Sequence, residues 1–344
     1  EWRPRRGAGR DREPGGYADP AGHPDLRAAV ARYVAYARSV RTGADDVVVT
    51  NGAQQALDLV ARVLLAPGDV VAVEEPGYPP AREAFAAHGA RVVGVPVDGE
   101  GLVVSRLPRA ARLVYVTPSH QFPLGVAMSP RRRLDLLAWA GAHDAAVVED
   151  DYDSEYRFAD RPLEPLHALD AGGRVVYVGT FSKTLLPGLR LGFAVVPPSL
   201  RSAVRAARRL ADGHGPVATE AALARFMDEG LLARHIRRTA KVYARRRSAL
   251  LAGLAGELAP YVETVPSAAG LHVCALLRSG DRAVADAVAA RARAAGVAVE
   301  TLAAYRAEPG GPAGLVLGYG AIEADEVPVG LTALAAAFRA VRPG

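Results

Sequence analysis

A chain of 344 residues, 50% hydrophobic and 23% charged, can bury a sizeable core and divide into a large and a smaller domain. One cysteine, Cys274, excludes an intramolecular disulfide and a multi-cysteine zinc site, and its apolar surroundings at 271–277 mark a buried structural thiol. No apolar run is long enough to cross a membrane and nothing reads as a signal peptide, so a cytoplasmic protein is expected. The net charge of +5 comes almost wholly from arginine, since Lys183 and Lys241 are the only lysines, and it fits a slightly basic surface more simply than a nucleic-acid footprint.

Residues 1–15 are arginine-rich and broken by glycine and proline, the text of a linker or truncated lead-in. Helical spacing over 24–36 starts at Pro24, and a β-branched strand over 46–50 runs into the turn Asn51-Gly52 and a helix over 54–65. Strands are expected at 70–73, 91–95, 113–116, 145–148, 174–179 and 191–196, with helices at 80–88 and 131–142. Apolar strands joined by helical crossovers argue for an α/β protein with a mainly parallel sheet covered on both faces. Near Pro197 the rhythm changes to long helices at 200–210 and 220–251, the second split near Gly230. A strand at 270–277, a helix at 282–295 and a strand at 315–319 follow. The division expected is a large domain over 16–200, a connecting helical region over 201–235 and a small C-terminal domain over 236–344. The arginine clusters 131–133 and 245–247 fall in helical text and read as solvated faces.

Lys183 closes the run Gly179-Thr180-Phe181-Ser182-Lys183, directly after a strand. The carboxyl end of a parallel strand is where open α/β sheets bind ligands, and a desolvated lysine there can join an aldehyde cofactor. Thr180, Ser182 and the cation Arg190 suit a phosphate, and the strand–helix turn Gly52-Ala53-Gln54 offers backbone amides for the same purpose. Asp150 ends another strand, where a carboxylate could keep a pyridine nitrogen protonated; Tyr152 could donate to a phenolic oxygen and Tyr78 could stack on a planar ring. A metal loop built from Asp151, Asp153 and Glu155 is the alternative, but the run lacks calcium-loop spacing and contains no histidine.

The segments GYADPAG (16–22), TNGAQQALDLVARVLLAPGD (50–69), EPGY (75–78), TPSHQFPLG (117–125), EDDYDSEYR (149–157), GTFSKTLLPGLRLGF (179–193) and AGLH (269–272) resemble, in that order, the aminotransferase-like domain of MocR-group, GntR-family transcription regulators. The resemblance implies the fold-type-I aminotransferase fold, with a mainly parallel seven-stranded sheet in the large domain and a smaller C-terminal α/β domain. It implies pyridoxal 5'-phosphate held on Lys183, with Asp150 at the ring nitrogen, Tyr152 at the phenolic oxygen and Tyr78 stacked on the ring. Ala53, Gln54, Thr180, Ser182 and Arg190 would surround the phosphate, and Tyr17 would reach the phosphate of the neighbouring subunit in a homodimer.

Two departures bear on activity. Ordinary aminotransferases of this fold have Asn-Pro-x-Gly where this chain has Phe122-Pro123-Leu124-Gly125, and phenylalanine cannot hydrogen-bond the phenolic oxygen. The arginine that clamps a substrate carboxylate usually precedes the late strand, yet 310–314 reads Gly-Gly-Pro-Ala-Gly, leaving Arg306 as the nearest candidate. The function expected is therefore an effector-sensing, dimerising domain that responds to an amino compound or to the vitamer itself. DNA would be bound through an N-terminal winged helix-turn-helix that is absent from this chain. The alternative is a free-standing aminotransferase, in which Lys183 would also shuttle protons.

Overall fold

Valine-rich strands buried on both faces, alternating with helices whose caps are written in Pro and Ser, build a two-sheet α/β structure; the computed structural model describes residues 17–158 and 163–341. The lead-in expected over 1–15 lies outside the described residues. Helix α1 (Pro24–Arg38) begins with proline at its first position and precedes strand β1 (Val47–Thr50) and helix α2 (Gly52–Leu64). Then follow β2 (Val70–Glu75), α3 (Pro79–Ala87), β3 (Arg91–Asp98), β4 (Gly101–Leu102), β5 (Ala111–Val116) and α4 (Pro130–Ala142), whose N-cap Ser129 accepts from the Arg132 amide. Strand β6 (Ala146–Asp151), the short α5 (Leu166–Leu169), β7 (Val175–Thr180) and β8 (Gly192–Val195) complete the large sheet. Helices α6 (Arg201–Asp212), α7 (Val217–Asp228) and α8 (Leu231–Ala255) lead to β9 (Val262–Thr264), β10 (His272–Leu277), α9 (Arg282–Ala294), β11 (Glu300–Thr301), β12 (Gly314–Gly318) and α10 (Glu326–Ala340).

The large sheet has the order β1-β8-β7-β6-β5-β2-β3-β4. The central strands β2, β3, β5, β6 and β7 are parallel, and β8 is antiparallel to both its neighbours. The seven strands expected are all present; the eighth is the two-residue β4, which folds back on β3 at the edge. Alternation within each strand divides the core: Val148 of β6 packs in one layer with Leu57, Leu113 and Val176, while Val147 packs in another with Val114 and Leu136. The smaller sheet, β11-β12-β10-β9, is wholly antiparallel and packs on α8, α9 and α10. The helical region does split at Gly230, which adopts φ 71°.

Some elements go beyond the sequence reading, and the reading of two arginines is corrected. The C-terminal helix α10 and the short strands β9 and β11 carried too little periodic signal to be anticipated. The acidic run 149–151 closes β6, at the strand end where Asp150 was expected. Arg133 and Arg246 are not on solvated faces: Arg133 is 1% exposed and donates to the carbonyls of Met128, Glu164 and Pro118, and Arg246 donates to the Gly320 carbonyl. Their guanidiniums finish loops whose carbonyls have no strand partner, a role that a fork of fixed donors fills well.

Where β7 passes β8, a Cβ on Gly179 would overlap the Phe193 ring, so this close crossing requires glycine. Gly179→Ala is expected to destabilise the chain by about 1–3 kcal/mol, as overpacking does. Gly141→Ala, on an exposed helical position with open space around it, serves as the neutral control. Urea unfolding of the two variants checks the difference.

Candidate functional site

The end of β6 places three carboxylates in succession, all buried. Strand alternation sends Glu149 and Asp151 to one face and Asp150 to the other. Asp151 is paired with Arg38 at 2.6 Å and accepts from the Tyr177 hydroxyl at 2.6 Å. Glu149 accepts from the amides of Leu166 and His167 at 3.0 and 2.9 Å, with Arg133 at 3.8 Å. Asp150 has no arginine. One oxygen accepts from the Tyr115 hydroxyl at 2.8 Å, and the other is buried without a partner. Burial pushes the Asp150 carboxyl up to about 7, helped by Asp151 and Asp153 and opposed by Tyr115 and Lys183.

The next strand end, β7, delivers Thr180, Ser182 and Lys183. The Thr180 and Ser182 hydroxyls lie 3.1 Å apart. Arg190 holds a left-handed conformation, φ 53°, and its guanidinium donates to the Asn51 carbonyl at 2.9 Å. That places it against Gly52, where a Cβ would come within 3.3 Å of the guanidinium. Helix α2 starts here without a side-chain cap, so its first-turn amides are open to an anion.

These elements enclose a cavity of about 270 Å³ lined by Ala53, Gln54, Tyr78, Tyr115, Thr117, Phe122, Asp150, Tyr152, Thr180, Ser182, Lys183, Pro187 and Arg190. Nine of the ten residues singled out in the sequence thus face one cavity. Tyr17 does not: it is 93% exposed and touches only the edge of His214, at 6.1 Å between ring centroids. Lys183 is also exposed, so this chain alone does not supply the desolvation expected for its amine. The Tyr152 hydroxyl is turned to the backbone carbonyl of His120 at 2.9 Å. Arg306 lies outside the cavity, packed against Gly311.

Tyr115 and Thr117 were missed, although they share the alternate face of β5 with Leu113. Also missed was a buried group of His120, Asp153 and His272 behind Phe122. Its donor atoms lie within 4.8 Å of one another; Asp153 and the His120 Nδ1 are hydrogen-bonded to each other, His120 Nε2 has no partner, and His272 gives its Nε2 proton to the Pro123 carbonyl at 3.0 Å. Cys274 is buried as expected, and burial pushes its thiol up to about 12. A larger apolar groove of about 750 Å³ beside α10 carries Glu326 as its sole ionisable carboxylate and lies away from this chemistry.

The cavity fits pyridoxal phosphate. It offers an amine, an anion cradle of hydroxyls, amides and guanidinium, and at its floor a buried carboxylate oxygen that lacks a donor.

Residues 3–310 match the aminotransferase class I and II family, and the chain belongs to it. Within that family its likeness is to the aminotransferase-like part of MocR-type, GntR-family regulators. It is 41% identical over 330 residues, 95% of its length, to the probable rhizopine catabolism regulatory protein MocR of Rhizobium meliloti, of which it covers 66%. It spans 46% to 68% of the length of five such regulators that it matches. It is also 33% identical over 290 residues to aromatic-amino-acid aminotransferase 1 of Thermococcus litoralis, covering 79% of this chain and 70% of that enzyme. The crystal structure of Pyrococcus horikoshii kynurenine aminotransferase superposes with a TM-score of 0.87 at 31% identity, over 94% of this chain and 82% of that one. Among the described residues, no helix is long and apolar enough to cross a membrane.

Burial, the largest cause in each case, pushes Glu74, Glu149, Asp150 and Glu155 all up to about 7. The folded chain then keeps protons that the unfolded chain releases near its ordinary values of 3.8 and 4.5. This stability is present in acid and is lost as pH rises from about 4 to about 7. The urea midpoint of the cofactor-free chain is therefore expected to fall across that window, and to fall less in Asp150→Asn.

Proposed function

We propose that this chain is the pyridoxal-phosphate-binding, effector-sensing and dimerising domain of a MocR-type transcription regulator. The observation that carries the reading is the buried Asp150 oxygen, unpartnered on the floor of a cavity that also presents Lys183 and a phosphate cradle. When bound, pyridoxal phosphate supplies an aldehyde that exchanges between amines and a ring that withdraws electrons. Asp150 would hold the ring nitrogen protonated, the Tyr78 ring would cover one face, and Thr180, Ser182, Arg190 and the first amides of α2 would hold the phosphate. Lys183 would carry the cofactor until an amino compound displaces it; the vitamer itself is the other candidate signal. Such a ligand must bind two states of the domain unequally in order to move DNA-binding heads, which in this reading are a winged helix-turn-helix outside this chain.

Sensing is favoured over turnover by the aromatic wall. Phe122 stands where an asparagine would hydrogen-bond the phenolic oxygen, and its ring is met by Tyr78, Tyr152, His272 and Tyr305, at centroid distances of 4.9 to 6.0 Å. Arg190 is the one arginine lining the cavity among the described residues, so an amino acid finds no second guanidinium for its carboxylate. The open mouth beside exposed Lys183, together with Tyr17 at 93% and Leu186 at 64% exposure, supports a homodimer. In that dimer Tyr17 would reach the partner's phosphate site. A cytoplasmic location accords with this role.

The free-standing aminotransferase is the second reading, kept because Lys183, Asp150 and Tyr152 share one cavity. Reconstituted protein should show a visible absorption band that borohydride fixes covalently to the peptide containing Lys183, and Lys183→Ala should lack it. Arg190→Ala should weaken cofactor binding about 10- to 100-fold, the worth of a charged contact of about 1.5–3 kcal/mol. With a panel of amino donors and keto acids, the sensing reading expects no sustained turnover, whereas many turnovers per site would establish the enzyme. Phe122→Asn should raise the rate of amino-group exchange about tenfold by restoring one hydrogen bond.

A further inference from the structure

His120 is buried behind the cavity wall, 1% exposed, on the loop that ends in Phe122. Its Nδ1 lies 3.0 and 3.2 Å from the two oxygens of buried Asp153, and 3.1 Å from the Tyr152 hydroxyl. Asp153 also accepts from the Leu271 amide at 3.2 Å, at the entrance to β10 of the small sheet. His272, the first residue of β10, packs against the His120 ring at 4.5 Å between centroids, tilted by 40°. A Cβ on Gly270 would overlap that ring, so the backbone entering the small sheet is pressed against it. His120 thus sits between a tyrosine that lines the cavity and the strand that opens the small sheet.

Because Nδ1 faces a carboxylate, it carries the ring proton, leaving the buried Nε2 without a partner. This single N–H has two acceptors within reach. The N–H is fixed in the ring plane and is shared between them, while the Tyr152 hydroxyl gives its own proton to the His120 carbonyl, 2.9 Å away. A hydroxyl oxygen that accepts still donates, so the larger the share of the N–H that reaches Tyr152, the more firmly its hydroxyl is held in that direction. We propose that His120 and Asp153 form a positioning pair that sets the direction of the Tyr152 hydroxyl and ties it to the entrance of β10. This rests on the reading that the cavity holds pyridoxal phosphate. The pair does not touch the cofactor; it acts through Tyr152.

The test uses the reconstituted full chain and reads the visible band and the cofactor dissociation constant. His120→Phe removes the donor that holds the Tyr152 oxygen, so the band should shift and binding should weaken about tenfold. His120→Asn, whose amide nitrogen reaches the place of Nδ1, should restore both. Asp153→Asn weakens the competing acceptor and should shift the band in the opposite direction, which also covers a His120→Phe protein that fails to fold. In a Tyr152→Phe background none of these variants should move the band further. Shifts of equal sign from His120→Phe and Asp153→Asn, or shifts that persist in Tyr152→Phe, would overturn the pairing while leaving the cofactor reading intact. A wild-type protein with no band reducible onto Lys183 would remove the cofactor reading and this inference together.

Discussion

Three adjacent carboxylates buried at the end of one strand are a heavy electrostatic demand, and much of the large sheet is arranged to meet it. Burying an unpaired charge costs several kcal/mol even after relaxation, so each acid must be compensated or left protonated. Arg38 reaches Asp151 from α1, and Arg133 approaches Glu149 from α4, which fixes both helices against the same face of β6. Asp150 faces the other way and receives one neutral hydroxyl. The asymmetry bears on function: Asp151 and Glu149 each face a guanidinium, whereas Asp150, on the cavity side, faces none and has one oxygen without a donor. A protonated ring nitrogen would answer that vacancy with a charge-assisted hydrogen bond.

The opposite end of the cavity depends on close backbone approach. A Cβ on Gly192 would come within 3.0 Å of Gly52 and of the Gly179 carbonyl, so β7, β8 and the start of α2 meet at a point no side chain could occupy. That meeting brings the α2 amides, the Thr180–Ser182 hydroxyls and Arg190 to one anion cradle. Arg190 accepts a left-handed backbone there, a modest strain maintained by the surrounding packing. The site is thus rigid where it would hold phosphate and open where it would admit an amine.

Much of this was legible in the sequence, for physical reasons. Strands buried on both faces write continuous valine runs, and glycine or proline punctuates their ends, so the strands of the large sheet and their polar termini could be read directly. Lys183 and Asp150 were visible because they stand at the carboxyl ends of such strands, and Arg190 because it is a cation in the loop between two of them. What escaped depends on through-space packing. Arg133 looked like one of three surface arginines until its carbonyl acceptors were known. Tyr115 and Thr117 looked like ordinary strand residues, and Tyr17 gains a role only if a second subunit is present. His120, Asp153 and His272 are separated by up to 152 positions along the chain, and no local period connects them.

The replacement at Phe122 ties these threads together. An asparagine there would act on a cofactor oxygen through one polar contact. The phenylalanine instead packs among rings from α3's start, from β6's end, from the entrance of β10 and from Tyr305 ahead of β12. Aromatic edges of this kind are each worth about 0.5–1.5 kcal/mol beyond burial, and they favour particular geometries. A wall made this way responds to the relative position of the two sheets, because two of its four partners belong to the C-terminal part of the chain. In the sensing reading, exchanging a hydrogen bond for such a contact would weaken the chemistry of turnover and tie the cavity to the small sheet. A domain that must report occupancy, and need not release product, gains from that exchange.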